Sequence, residues 1–170
     1  MKKVILSLTA LAFVTVVFTS CKEQSNFDML TTKKGWKLVE ATCSPAYELL
    51  DGSKITNLQD GYLAAWELDD IIIFDESGAL TVDPGKNLPP EGKDGWIEKK
   101  AIGTWAFLEN ETKIRMQIPF WYPATPGGVR EPDEVKLNLL DKDNLRVSLT
   151  FRECASCPEY TFSLAYAINK

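Results

Sequence analysis

The chain has 170 residues, with 19 Lys and Arg against 24 Asp and Glu, a net charge of −5 and no histidine. The missing histidine excludes Ser-His-Asp and Cys-His catalysis, the common zinc sites and a histidine pH switch. An acidic chain without a basic stripe argues against nucleic acid as a partner.

Lys2 and Lys3 open the chain, residues 4–18 are uncharged and mostly apolar, and small Thr19 and Ser20 lead into Cys21. That stretch is shorter than the ~20 apolar residues of a membrane span. A charged head, an apolar middle and a small-residue exit instead fit a removable export signal over residues 1–20. The cysteine directly after it resembles the lipobox of bacterial lipoproteins, although Phe18 stands where Leu is usual. The resemblance implies that the Cys21 thiol receives a diacylglyceryl group and that its freed amine is acylated, palmitate being a typical chain. Several acyl chains give stable anchoring where one is marginal. An ordinary secretory signal with an incidental cysteine is the plainer alternative. Lys22 in place of Asp after the anchor favours the outer membrane, by analogy with Gram-negative sorting. Which membrane face the protein occupies stays open.

Removing residues 1–20 takes two lysines and no acid, which leaves 150 residues with a net charge of −7. That length suits one domain. No polybasic segment follows Cys21, so the expected membrane attachment is through lipid rather than headgroup attraction. Residues 21–32 are the lipidated cysteine and a polar tether, and residues 33–170 are the folded domain.

Period-2 patterns dominate from Trp36 onward. They predict strands over 36–42, 71–75, 79–83, 101–109 and 112–118, then over 135–139, 145–152 and 160–168. Tight turns are expected at Glu76-Ser77-Gly78, Asn110-Glu111 and Asp141-Lys142-Asp143-Asn144. The long interruptions are 44–70, with a possible short helix over 59–67, then 84–100 and 120–133. Eight strands in a meander would leave exposed edges unless the sheet closes. The expected fold is therefore all-β, an antiparallel up-and-down barrel of about eight strands.

Three motifs in sequence carry a family resemblance. Lys34-Gly35-Trp36-Lys37-Leu38 comes first, and Asp69-Asp70-Ile71-Ile72-Ile73-Phe74-Asp75-Glu76-Ser77-Gly78-Ala79-Leu80-Thr81 follows. Gly103-Thr104-Trp105-Ala106-Phe107 precedes a strand beginning near Lys113. Their order resembles the lipocalin-like domains of many bacterial lipoproteins, which carry W-K-L, D-D-x-x-x-F-x-x-x-G-x-x-T and G-x-W. The resemblance covers about residues 30–170. It implies a calycin-type barrel, and it brings little function, because most such domains have no assigned ligand.

Cys154-Ala155-Ser156-Cys157 lies between two strands, not at the helix start that a thioredoxin-type C-x-x-C uses. In a closed meander the first and last strands are neighbours. A register that opposes Cys43 to Cys157 also opposes Leu38 to Phe162 and Trp36 to Leu164, keeping apolar residues on one face. A Cys43–Cys157 disulfide is therefore expected, with Cys154 free or exchanging. A local Cys154–Cys157 bridge is the rival, and export makes one or the other the default. A three-thiolate metal site lacks a fourth ligand.

Phe120-Trp121-Tyr122 cannot all face one side of a strand. They read either as a stacking platform or as a plug over the barrel end. Leu38, Ile114, Met116, Val135, Leu137, Val147, Leu149, Phe162 and Leu164 are expected to point inward, with Trp105 and Phe107 adding aromatics. The lining suits an apolar ligand or a filled core equally. Trp105, Phe107, Met116, Phe120, Trp121 and Tyr122 are the candidate ligand contacts. Asp69-Asp70 reads as a turn or cap. No phosphate-binding loop and no nucleophile elbow is present. The expected protein is non-enzymatic, needs no cofactor or metal, and binds a small apolar or aromatic ligand or an envelope partner. The alternative is an accessory surface lipoprotein that works through its loops.

Overall fold

A computed structural model describes residues 24–93, 95–117, 133–152 and 156–170. β1 (Trp36–Glu48) pairs with β3 (Ile71–Phe74) along one edge and with β9 (Tyr160–Ile168) along the other. β4 (Ala79–Asp83), β5 (Lys100–Leu108), β6 (Lys113–Gln117), β7 (Asp133–Leu140) and β8 (Asn144–Phe151) fill the circuit between β3 and β9. Every pairing is antiparallel. The fold is an all-β, closed, up-and-down barrel of eight strands. A ninth strand, β2 (Lys54–Asn57), lies outside the circuit and pairs with the far half of β1.

β1 is longer than its sequence pattern. It passes through a cis Ser44–Pro45 peptide to reach Glu48, where Tyr47 opposes Ile55. The expected helix over 59–67 does not form. A single 3-10 turn, Leu58–Asp60, is capped by the Asn57 side chain and ends at Gly61, whose φ is +134°. Leu58 anchors that turn in the core.

The β1–β9 register differs from the expected one by four positions at its start, where Trp36 opposes Ile168 instead of Leu164. The regular ladder assumed in the sequence reading also contains a bulge between Leu38 and Glu40, which leaves Val39 55% exposed. A bulge inserts one unpaired residue and so flips the inside-outside parity beyond it. Leu38 accordingly faces Tyr166, and Cys43 faces Phe162.

The stretch read as a polar tether begins the fold. Ser25 caps α1 (Asn26–Leu30) in a reciprocal capping box with Asp28. Five residues are too few for a stable isolated helix, so packing must hold this one. Leu30 is fully buried, its carbonyl accepts a 2.9 Å hydrogen bond from Trp36 Nε1, and Phe27 stacks on Trp105 at 5.8 Å. α1 is thus a plug under the barrel.

The two barrel ends differ. At the α1 end the hairpins are tight and self-capped. Asp75 Oδ1 accepts from Ser77 N–H, and Asp141 Oδ1 accepts from Asp143 and Asn144 N–H, all at 2.8 Å. At the other end lie the β1–β2 excursion and the long connections 58–70 and 84–99. Strand direction also brings the chain to that end at residues 117, 133 and 152.

Between the ends runs one apolar core that includes Trp36, Leu80, Val82, Ile114, Val135, Leu145, Val147 and Phe162. Of the residues expected inward, Ile114, Met116, Val135, Val147, Phe162 and Leu164 are buried, while Leu38, Leu137 and Leu149 are partly buried against them. Tyr166 is buried too, and desolvation pushes its phenol above the usual range, so it stays neutral.

If α1 is a plug, removing its anchor should unfold more than a tether would. Leu30→Ala is expected to cost roughly 3 kcal/mol in chemical denaturation, as for other fully buried leucines. A loss within about 0.5 kcal/mol, typical of a surface site, would return residues 25–31 to a tether.

Candidate functional site at the loop end

At the end opposite α1, aromatic rings cluster among the described residues. Tyr47 on β1 meets Tyr62, Tyr160 and Phe162 at centroid distances of 5.2, 5.1 and 5.9 Å, all edge-on. Tyr62 meets Phe162 at 5.4 Å, and Phe151 meets Phe162 at 4.8 Å, again edge to face. Phe151 also lies 5.9 Å from Tyr160, tilted by 38°. Edge-to-face contact sets the positive rim of one ring against the negative face of another, which adds to simple burial. Phe162 and Tyr160 are buried in this group, whereas Tyr47, Tyr62 and Phe151 keep partial exposure.

A second device ties the loops down. Asp69 Oδ2 accepts from the backbone N–H of Lys86 at 2.8 Å and of Asn87 at 3.2 Å. Asp70 Oδ1 accepts a long hydrogen bond, 3.4 Å, from Gly85 N–H. A Cβ at Gly85 would collide with the Asp69 carboxyl group, so only glycine allows this approach. Asp69 Oδ1 is buried without a hydrogen-bond partner among the described residues. The Asp69-Asp70 pair, read from sequence as a turn or cap, thus clips the 84–99 connection to the start of β3. Asp70 is half-buried, and desolvation pushes its carboxyl up to about 6. The neighbouring Asp69 and Glu67 charges push the same way, and the Gly85 hydrogen bond opposes them.

The rim is apolar in places. A Cβ at Gly95 would sit 2.9 Å from Trp66 Nε1 and 3.0 Å from Pro89, so the two long connections meet there. Trp96 packs partly against the core, with Lys100 Nζ 4.8 Å from its ring centroid. Leu88 and Ile97 are exposed on the 84–99 connection, and Leu50 on the β1–β2 turn.

The sequence candidates are dispersed. Trp105 and Phe107 meet edge to face at 5.5 Å, and Trp105 also meets Phe27 and Phe74. Its Nε1 donates to the Asp75 carbonyl at 2.9 Å, which places this pair beside the plug and away from the loops. Met116 is buried in the wall. Phe120, Trp121, Tyr122, Cys21 and Cys154 lie outside the described residues. The floor formed by Tyr47, Tyr62, Phe151, Tyr160 and Phe162 was missed. Tyr160 and Phe162 were legible as strand residues, but Tyr47 fell in a long interruption and Tyr62 in its possible helix over 59–67.

The expected Cys43–Cys157 bridge is overturned. Cys43 is a free, buried thiol whose Sγ donates to the Ile55 carbonyl at 3.3 Å. The observed register sets it opposite Phe162, five residues along the chain from Cys157, and a disulfide needs Cα atoms within about 7 Å. The partner of Cys157 lies outside the described residues. Among the described residues, no three Cys, Asp or Glu side chains gather as a metal site.

The Asp70 carboxyl supplies a pH test. Its folded pKa, about 6, lies above the unfolded value of 3.8. The folded chain therefore holds this proton more tightly. Its contribution to stability is fully present below about pH 4 and is lost as pH rises through about 6. Asp70→Asn should be more stable than the parent at pH 7.5, and the gap should close by about pH 4 in thermal unfolding. A gap independent of pH would show that Asp70 titrates normally.

No family model matches this chain, and no curated protein matches it.

Proposed function

We propose that this chain is a lipid-anchored cell-envelope protein that binds a small hydrophobic or aromatic ligand at the loop end of a lipocalin-like barrel. The observation that carries the reading is the asymmetry of the barrel. One end is sealed by α1 and tight turns, while the other gathers long connections over a floor of partly exposed aromatic rings. Below that floor the barrel is occupied by buried side chains from every strand of the circuit. The proposed site is therefore shallow. It suits a flat or compact ligand held beside the aromatic cluster, rather than a long chain threaded down the axis. The role is binding and not catalysis, and it calls for no cofactor.

Exposed Leu50, Leu88 and Ile97 favour a second reading, in which the rim docks an envelope protein partner. The two readings separate by mutation. The uncharged fluorescent probe N-phenyl-1-naphthylamine should bind saturably, and Tyr62→Ala should weaken it about tenfold, the scale of one lost aromatic contact. Phe27→Ala, at the sealed end, should leave probe affinity unchanged. Absence of saturable binding, together with no small molecule co-purifying from the native membrane by mass spectrometry, would sink the ligand reading. Loss of a cross-linked partner in Ile97→Asp, with probe binding intact, would then favour the rim.

With Cys43 free, the local Cys154–Cys157 bridge is the proposed disulfide, in keeping with export to an oxidising compartment. In protein that begins at Lys22, unfolding without reductant should expose a single reactive thiol, mapping to Cys43. Reaction at Cys154 or Cys157 as well would overturn the bridge.

A further inference from the structure

We infer that the barrel stands on its sealed end, with α1 and the tight hairpins against the lipid headgroups and the aromatic floor facing water. The inference rests on the lipid anchoring proposed above and asks what that anchor does to the site.

The argument is one of reach. Ser25 caps α1, and only Lys22, Glu23 and Gln24 separate it from Cys21. Four Cα steps span at most about 14 Å even when fully extended. Trp36 Nε1 and the Phe27–Trp105 contact fix α1 beneath the barrel. Acyl chains on Cys21 would therefore hold the sealed end within about 14 Å of the hydrocarbon surface. Strands of eight or nine residues, as in β5, β7, β8 and β9, rise about 20 Å along the axis once tilted. The floor and its connections would then project clear of the headgroups.

Charge does not create this orientation. Lys33, Lys34 and Lys142 are exposed at the sealed end, but Glu76, Glu109 and Asp143 are exposed there too. A face of mixed sign gains little from anionic lipid. The constraint is the short covalent link, so orientation should be the same on neutral and anionic membranes. The consequence concerns the ligand class. A site held on the far side of the barrel from its own bilayer takes a solute, or a molecule handed over by a partner in the aqueous phase. It does not lift a lipid from the membrane beneath it.

The test uses the lipidated protein with Cys43→Ser, reconstituted in phosphatidylcholine vesicles that carry a headgroup nitroxide, a short-range quencher. A fluorophore is placed at Ser77→Cys in the β3–β4 hairpin or at Ser53→Cys in the β1–β2 turn, both exposed positions. Most of the Ser77→Cys emission should be lost, the Ser53→Cys emission should persist, and added phosphatidylserine should not change the pattern. Equal quenching at both positions, or stronger quenching at Ser53→Cys, overturns the orientation. Mass spectrometry of the N-terminal peptide is run on the same sample. An unacylated Cys21 would remove the anchor and the orientation with it, a failure distinguishable from a reversed or tumbling barrel.

Discussion

Trp36 is where the barrel closes. Its backbone opposes Ile72 on β3 and Ile168 on β9, so one residue joins the first and last edges of the circuit. Its indole is fully buried, and its only polar atom is satisfied by the Leu30 carbonyl. An indole N–H left unpaired in an apolar core would cost free energy, so closure of the sheet and docking of the plug are coupled through this side chain. The neighbouring Gly35 keeps the seam tight. Its φ is +72°, and a Cβ there would lie 2.5 Å from Ile71 and 2.8 Å from Ile73. Only two residue pairs join β1 to β3, so this seam leans on side-chain packing more than on a hydrogen-bond ladder.

From that closure the two-ended character follows. In an antiparallel meander, successive connections alternate between the ends. The short turns of this chain fall at one end, and the long connections therefore all lie at the other. The short turns satisfy their own backbone: Asp75 and Asp141 accept N–H groups two and three residues ahead, and Thr112 Oγ1 donates to the Glu109 carbonyl. The long connections cannot do so locally, and instead take partners from the barrel, as Asp69 does for Lys86 and Asn87. Half-buried carboxylates there carry the cost of desolvation, which is visible in the raised Asp70 carboxyl.

Alternation was the legible part of the sequence. Strands β3 to β9 lie within two residues of their expected bounds, β3 because it is a short apolar run bounded by turn residues and the others because they alternate an apolar with a wetter face. What could not be read is what breaks the period. The β1–β9 ladder is offset by four positions already at Trp36, and the Val39 bulge adds a fifth and flips parity, so that Cys43 faces Phe162. α1 is too short to show helical periodicity, and its burial depends on Trp36, which alternation marks only as an inward residue. The aromatic floor draws one ring each from β1, β8 and the 58–70 connection and two from β9. No spacing along the chain relates Tyr47 to Tyr62 or Phe151. Trp105 and Phe107 attracted notice as adjacent inward aromatics, but inward is not the same as toward the loop end, and the fold sets them beside Phe27.

The filled core and the proposed ligand are compatible only if binding and folding use different surfaces of the same rings. Phe162 and Tyr160 are held from below by β8 and β9 and serve the core. Tyr47, near the end of β1, and Tyr62, just after a 3-10 turn, are instead only partly buried. A surface of this kind is rigid where it touches the barrel and adaptable where it touches solvent. It offers a preorganised aromatic contact without a deep cavity, and preorganisation lowers the entropic cost of binding. Specificity would then come from the connections above the rings, whose position is set by the Asp69 and Asp70 clip more than by the barrel itself.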